Sequence, residues 1–99
     1  MRFGELRKYI SKIDRVSICM METLEYKNFQ FISQVPSSYD ELYVYGIGRI
    51  QSEFPAREAL DAAFMAFDGK VPDDKLDEII LAECIEIMLS EEPRDFEKE

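Results

Sequence analysis

The chain contains no histidine. That removes the commonest general base and the commonest zinc ligand, and it excludes Ser-His-Asp and Cys-His catalysis. An enzyme built from these residues would run on carboxylates, tyrosine, lysine or cysteine. Only two cysteines are present, Cys19 and Cys84, far apart in sequence and in no thiol motif. They read as buried thiols rather than as a redox pair. No apolar run approaches the length that crosses a bilayer. The opening segment Met1-Arg2-Phe3-Gly4-Glu5 lacks the uninterrupted apolar stretch of a signal peptide, so the expected location is cytoplasmic and away from membranes.

Ligand signatures are missing too. Gly46-x-Gly48 has no third glycine and no Walker-type lysine, and it falls within a strand pattern. Asp73, Asp74, Asp77 and Glu78 do not follow the D-x-D-x-D-G loop of a calcium site. They suit the start of a helix instead, as caps and dipole partners. No cofactor and no metal are expected.

What is present is charge, unevenly placed. The chain has 21 acidic and 12 basic residues and a net charge of −9. Residues 73–99 carry eleven acidic side chains and three basic ones, whereas residues 1–72 carry ten and nine. A local negative field repels nucleic acid and attracts basic surfaces. At 99 residues and 46% hydrophobic, the chain is sized for a single domain with its own core. A frayed acidic tail is expected from about residue 91.

Periodicity supplies the elements. Phe3, Leu6, Ile10 and Ile13 recur at helical spacing and predict a helix over 3–12, with Arg7, Lys8 and Lys12 on a solvated basic face. Val16, Ile18 and Met20 alternate with Ser17 and Cys19, the pattern of a half-buried strand. A second strand is expected over 24–33, with a bulge or bend at Asn28. Pro36 to Asp40 reads as a turn. A third strand over 42–51 would put Val44, Gly46, Gly48 and Ile50 on one face, the two glycines leaving a shallow trough.

Residues 55–68 predict a helix with Pro55 in its first turn, Gly69 as its cap, and Ala56, Ala59, Leu60, Ala63, Phe64 and Phe67 on its inner face. After Pro72 two readings stand. One is a helix from residue 73 to about 80 and a strand from about 83; the other is a single helix to Ser90, apolar almost all round. In the strand reading Ile85, Ile87 and Leu89 share a face. The expected architecture is α+β. An N-terminal helix packs on a small, mainly antiparallel sheet of about four strands, with one or two helices inserted before the last strand.

Val16-Ser17-Ile18-Cys19, Thr23-Leu24-Glu25-Tyr26, Tyr45-Gly46-Ile47-Gly48 and Ile85-Glu86-Ile87-Met88-Leu89 together give the chain a family likeness. It resembles small acidic proteins carried by phages and mobile elements of Gram-positive bacteria. The resemblance implies that residues 85–89 form the last strand and that residues 55–80 are an insert. It brings no catalytic residues with it.

The functional expectation is a non-enzymatic module that binds a protein partner with a basic surface and does not bind nucleic acid directly. In its sharpest form it is an anti-CRISPR-like inhibitor of a defence nuclease, with carboxylates standing where phosphates would sit. The candidate contact residues are Asp73, Asp74, Asp77, Glu78, Glu83, Glu86, Glu91 and Glu92, together with Tyr43 and Tyr45, since tyrosine is enriched at interfaces. The alternative is a structural module that forms a homodimer or joins a larger complex.

Overall fold

The apolar alternation of the sequence is realised in four strands: β1 (Val16–Met20), β2 (Glu25–Phe29), β3 (Tyr43–Pro55) and β4 (Ile79–Ser90). The helices are α1 (Phe3–Arg7) and α2 (Leu60–Ala66). The structure is a computed structural model and describes residues 1–93. The strands pair in the order β2-β1-β4-β3. β1 with β2 and β3 with β4 are antiparallel, while β1 with β4 is parallel. The class is α+β, with a helix at the N-terminus and a second helix before the last strand.

β3 and β4 are longer than local propensity predicts. β3 runs on to Pro55, and β4 begins at Ile79, because Phe54 pairs with Ile80 and Pro55 with Ile79. The ladder continues past the strand ends: Ala56 N donates to Glu78 O and Arg57 N to Leu76 O, each at 2.9 Å. Proline is tolerated because its missing N–H falls on the outer edge of the sheet. The pairing takes residues that looked helical. The helix expected over 73–80 shrinks to one 3₁₀ turn, Asp73–Lys75, and the helix expected from 55 starts at Leu60. At the far end of α2, Asp68 and Gly69 both have positive φ (54° and 89°), and Gly69 N closes on Phe64 O at 2.6 Å.

The first helix is also shorter than expected. It ends at Arg7, and tight turns carry the chain on to Asp14. Ile13 therefore leaves the apolar stripe and is 73% exposed. Arg7 is not on a solvated face. Its guanidinium lies over the Phe3 ring at 4.8 Å, bonds Asp40 at 2.8 Å, and reaches the carbonyls of Ile32 and Pro36. The second strand stops at Phe29, with a 3₁₀ turn over Ile32–Gln34. Asn28 causes no bulge; it pairs regularly with Ser17.

Two cores form on opposite faces of this one sheet. Val16, Ile18, Ile87 and Leu89 are buried on the first face beneath Phe3 and Leu6 of α1 and beneath Ile32 and Val35. On the second face Phe54, Ala82 and Cys84 are buried against Ala59, with Ile50, Ile80 and Ala62 alongside. β4 serves both: its odd residues Ile87 and Leu89 enter the first core, and its even residues Ala82 and Cys84 enter the second.

A bulge at Tyr45 alters the expected glycine trough. Val44 pairs with Leu89 and Gly46 with Met88, so Val44 joins the first core while Gly46 and Gly48 face the other way. The trough is occupied by the chain itself. A Cβ on Gly46 would meet the Met88 methyl at 2.5 Å, and Glu86 lies over Gly48.

Asn28 ties the two outer strands together. Its Oδ1 accepts from the fully buried Ser17 hydroxyl at 2.7 Å, and its Nδ2 donates to Ser52 Oγ and to Glu53 O, each at 2.9 Å. The sheet curls far enough for a side chain of β2 to reach β3. Replacing Asn28 by alanine leaves the Ser17 hydroxyl buried and unpaired, which costs about 1–3 kcal/mol. Ser17→Ala costs less, because the exposed Asn28 amide can turn to water. Urea denaturation of the two variants checks this order.

Candidate protein-docking surface

The acidic residues singled out in the sequence divide between the two ends of β4. Asp73, Asp74, Asp77 and Glu78 precede Ile79; Glu91 and Glu92 follow Ser90. Twelve residues of strand separate them by roughly 36–40 Å along the chain path. Glu83 and Glu86 lie between, on opposite faces of the sheet. The ten candidate residues therefore do not converge on one face.

Several of the carboxylates are held by the protein's own groups. Asp77 pairs with Arg57 at 2.7 Å, Glu83 with Arg49 at 3.0 Å, and Glu78 with Lys75 at 3.6 Å. Glu86 accepts from the Tyr26 hydroxyl at 2.9 Å, a bond that pushes the phenol up to about 12. Among the described residues Asp73, Asp74, Glu91 and Glu92 have no ion-pair partner. Backbone hydrogen bonds hold the start of the tail: Glu91 N donates to Glu22 and Glu92 N to Ser90 Oγ. The rest of the expected frayed tail lies outside the described residues. The two tyrosines are engaged: Tyr43 stacks under the Arg2 guanidinium at 5.2 Å, and the Tyr45 hydroxyl donates to Pro93 O at 3.1 Å.

The segment from the middle of β3 to the start of β4 carries an arrangement that local pattern did not reveal. Residues 49–83 contain nine acidic and four basic side chains. They build a lobe around α2, whose expected inner face is only partly realised: Ala56, Ala59 and Ala63 are buried and Phe67 is half-buried, but the larger Leu60 and Phe64 turn outward. Ala59 and Ala63 are 0% exposed, while Leu60 and Phe64, expected inside, are 48% and 51% exposed, and Met65 is 84% exposed. The cause is steric. Phe54 already fills the space above Ala82 and Cys84, so only alanines fit between the helix and the sheet. The available signal was that alanine run, Ala59, Ala62 and Ala63, which makes a complete narrow face by itself.

Arg15 fixes the lobe to the sheet. Its guanidinium makes two parallel bonds to Asp61 of α2, at 2.9 and 3.0 Å, and Nε donates to the Glu83 carbonyl where β4 runs beyond β1. It also lies 5.8 Å from the centre of the Phe54 ring. Beside it is an open cavity of about 400 Å³ lined by Ile13, Arg49, Asp61, Glu83 and Cys84. Burial pushes the Cys84 thiol up, against thiolate formation at neutral pH. Among the described residues no cluster of acidic or cysteine side chains could hold a metal ion, and no helix is long and apolar enough to cross a membrane.

Fold and surface together define a small α+β protein with an acidic lobe and outward-facing apolar side chains. Comparison with protein-family models, with curated proteins and with solved structures finds no match.

Two carboxylates link this arrangement to pH. The hydrogen bond from Arg15 holds Asp61 below its ordinary value of 3.8, and the Ser90 hydroxyl holds Glu22 below 4.5. A depressed value means stability that is present above the ordinary range and is lost as pH falls through the folded value. Urea midpoints should hold steady from neutral pH to about 5 and then decline toward pH 3. Asp61→Asn should flatten part of that decline.

Proposed function

We propose that the protein is a non-enzymatic binding module that docks onto a basic surface of another protein. The observation that carries this reading is the charge of the lobe. Of its four cations, Arg49, Arg57 and Lys75 are already committed to Glu83, Asp77 and Glu78, and Lys70 alone has no ion-pair partner among the described residues. Glu53, Glu58, Asp68, Asp73 and Asp74 have no ion-pair partner among the described residues. They are available to cations from outside.

A basic surface that holds phosphates offers the right complement, because charge-assisted bonds from Arg and Lys suit carboxylate as well as phosphate oxygens. An inhibitor of a nucleic-acid-handling defence nuclease is the sharpest form of this reading. The resemblance to phage and mobile-element proteins points the same way. Binding to candidate nucleases, measured by calorimetry at low and high salt, tests it. Affinity should fall about tenfold or more between 50 and 500 mM salt, since exposed charges are screened over a Debye length. Failure to bind any such enzyme, or an affinity indifferent to salt, rejects the reading.

A second reading, self-assembly, has its own observation. Ile79 and Leu81 are 56% and 61% exposed on the sheet face away from α2. Sedimentation over about a hundredfold range of concentration distinguishes the two readings, because mass action drives a dimer to form. A monomer throughout is expected. A dimer that Leu81→Ser dissolves would favour assembly instead.

A further inference from the structure

The strongest unpartnered feature is the outer side of α2. A seven-residue helix that buries alanines and turns Leu60, Phe64 and Met65 to solvent is the reverse of what water selects. On this short helix Leu60 and Phe64 are one turn apart, and Met65 lies on the same outward arc. Asp61 falls within the arc but is occupied by Arg15. Close to the ridge in sequence are carboxylates without ion-pair partners among the described residues: Glu58 just before the helix, Asp68 at its end, and Asp73 and Asp74 in the following 3₁₀ turn, with Lys70 the one unpaired cation among them.

We infer that this ridge is the docking site for a basic amphipathic helix of a partner protein, whose apolar stripe covers Phe64 and Met65 while its flanking lysines or arginines meet the carboxylates. The inference rests on the binding-module reading and narrows it to one end of the molecule. Charge decides among the occupants. A second copy would bring two lobes together, each with nine acidic and four basic residues, and like charges across a contact oppose it. An anionic lipid surface is repelled for the same reason. Helix-in-groove recognition reads apolar anchors spaced by about one turn, and methionine adapts to varied partners.

The experiment uses the full chain and three synthetic peptides: an amphipathic lysine–leucine helix, the same composition scrambled so that its leucines no longer share a face, and an amphipathic glutamate–leucine helix. Binding is read by fluorescence anisotropy at low salt. The amphipathic lysine–leucine helix should bind most tightly and the glutamate–leucine helix not at all. Because Phe64 and Met65 are exposed, Phe64→Ser with Met65→Ser leaves the fold intact, which circular dichroism verifies. That variant should bind about tenfold or more weakly, as expected for losing the burial of a large side chain. Asp73→Asn with Asp74→Asn should weaken binding and flatten its salt dependence, whereas Glu91→Gln with Glu92→Gln should change neither.

Equal affinity for wild type and for the Phe64/Met65 variant overturns the site while leaving the acidic module standing. No binding of either lysine peptide at low salt overturns both. A wild-type dimer that the Phe64/Met65 variant dissolves makes a second copy the occupant and overturns the inference.

Discussion

The antiparallel pairing of β3 with β4 is the constraint on which the rest depends. Their ladder runs from Tyr43 opposite Ser90 to Pro55 opposite Ile79, interrupted only by the bulge at Tyr45. It outreaches β1 and β2 and so extends the sheet beyond the first core. Along the overhang the first face loses its cover, and Ile79 and Leu81 are left exposed. The second face gains cover from Phe54 and the alanines of α2. One strand pair thus supports two hydrophobic clusters, one on each side. Arg15 and Asn28 hold the overhang to the rest, through Asp61 and the Glu83 carbonyl in one case and through Ser52 and the Glu53 carbonyl in the other.

The same pairing redistributes the charge. Asp73 and Glu92 are near in sequence terms, within one acidic quarter of the chain, yet β4 lies between them as an extended rod. Ion pairs then neutralise Asp77, Glu78 and Glu83. Exposed pairs of this kind add little to stability, about 0–1 kcal/mol each. Their effect is on the field: they remove three of the lobe's four cations, Arg49, Arg57 and Lys75, from external use. What remains unpaired among the described residues is a smaller set of carboxylates close in sequence to an exposed apolar helix face, rather than a uniformly acidic end.

Local pattern reading succeeded where burial on one face enforces a strict period. Val16, Ile18, Ile85, Ile87 and Leu89 alternate because a one-residue slip would turn each of them to water. It failed where distant partners compete. Pro55 to Glu58 looked like the first turn of a helix but serves as the end of a strand and a 3₁₀ turn, because Phe54 and Pro55 find Ile80 and Ile79 more than twenty residues away. Helical spacing puts Leu60 and Phe64 on one apolar face with Ala56, Ala59 and Ala63, yet only the alanines are buried. The deciding fact, that Phe54 already occupies the inner space, belongs to another element. The individual acidic residues were legible, but which of them remain unpaired depended on where Arg49, Arg57 and Lys75 come to lie.

By itself the sequence determined the α+β class, the alternating strands of the first core, the excess of carboxylates and the exclusion of imidazole chemistry. Each of these follows from composition or from contacts between near neighbours. Only the tertiary structure decided the parallel placement of β4 beside β1, the second core, the outward turn of α2 and the division of the acidic residues. Those depend on which distant segments exclude water together, and no local window of residues contains that information.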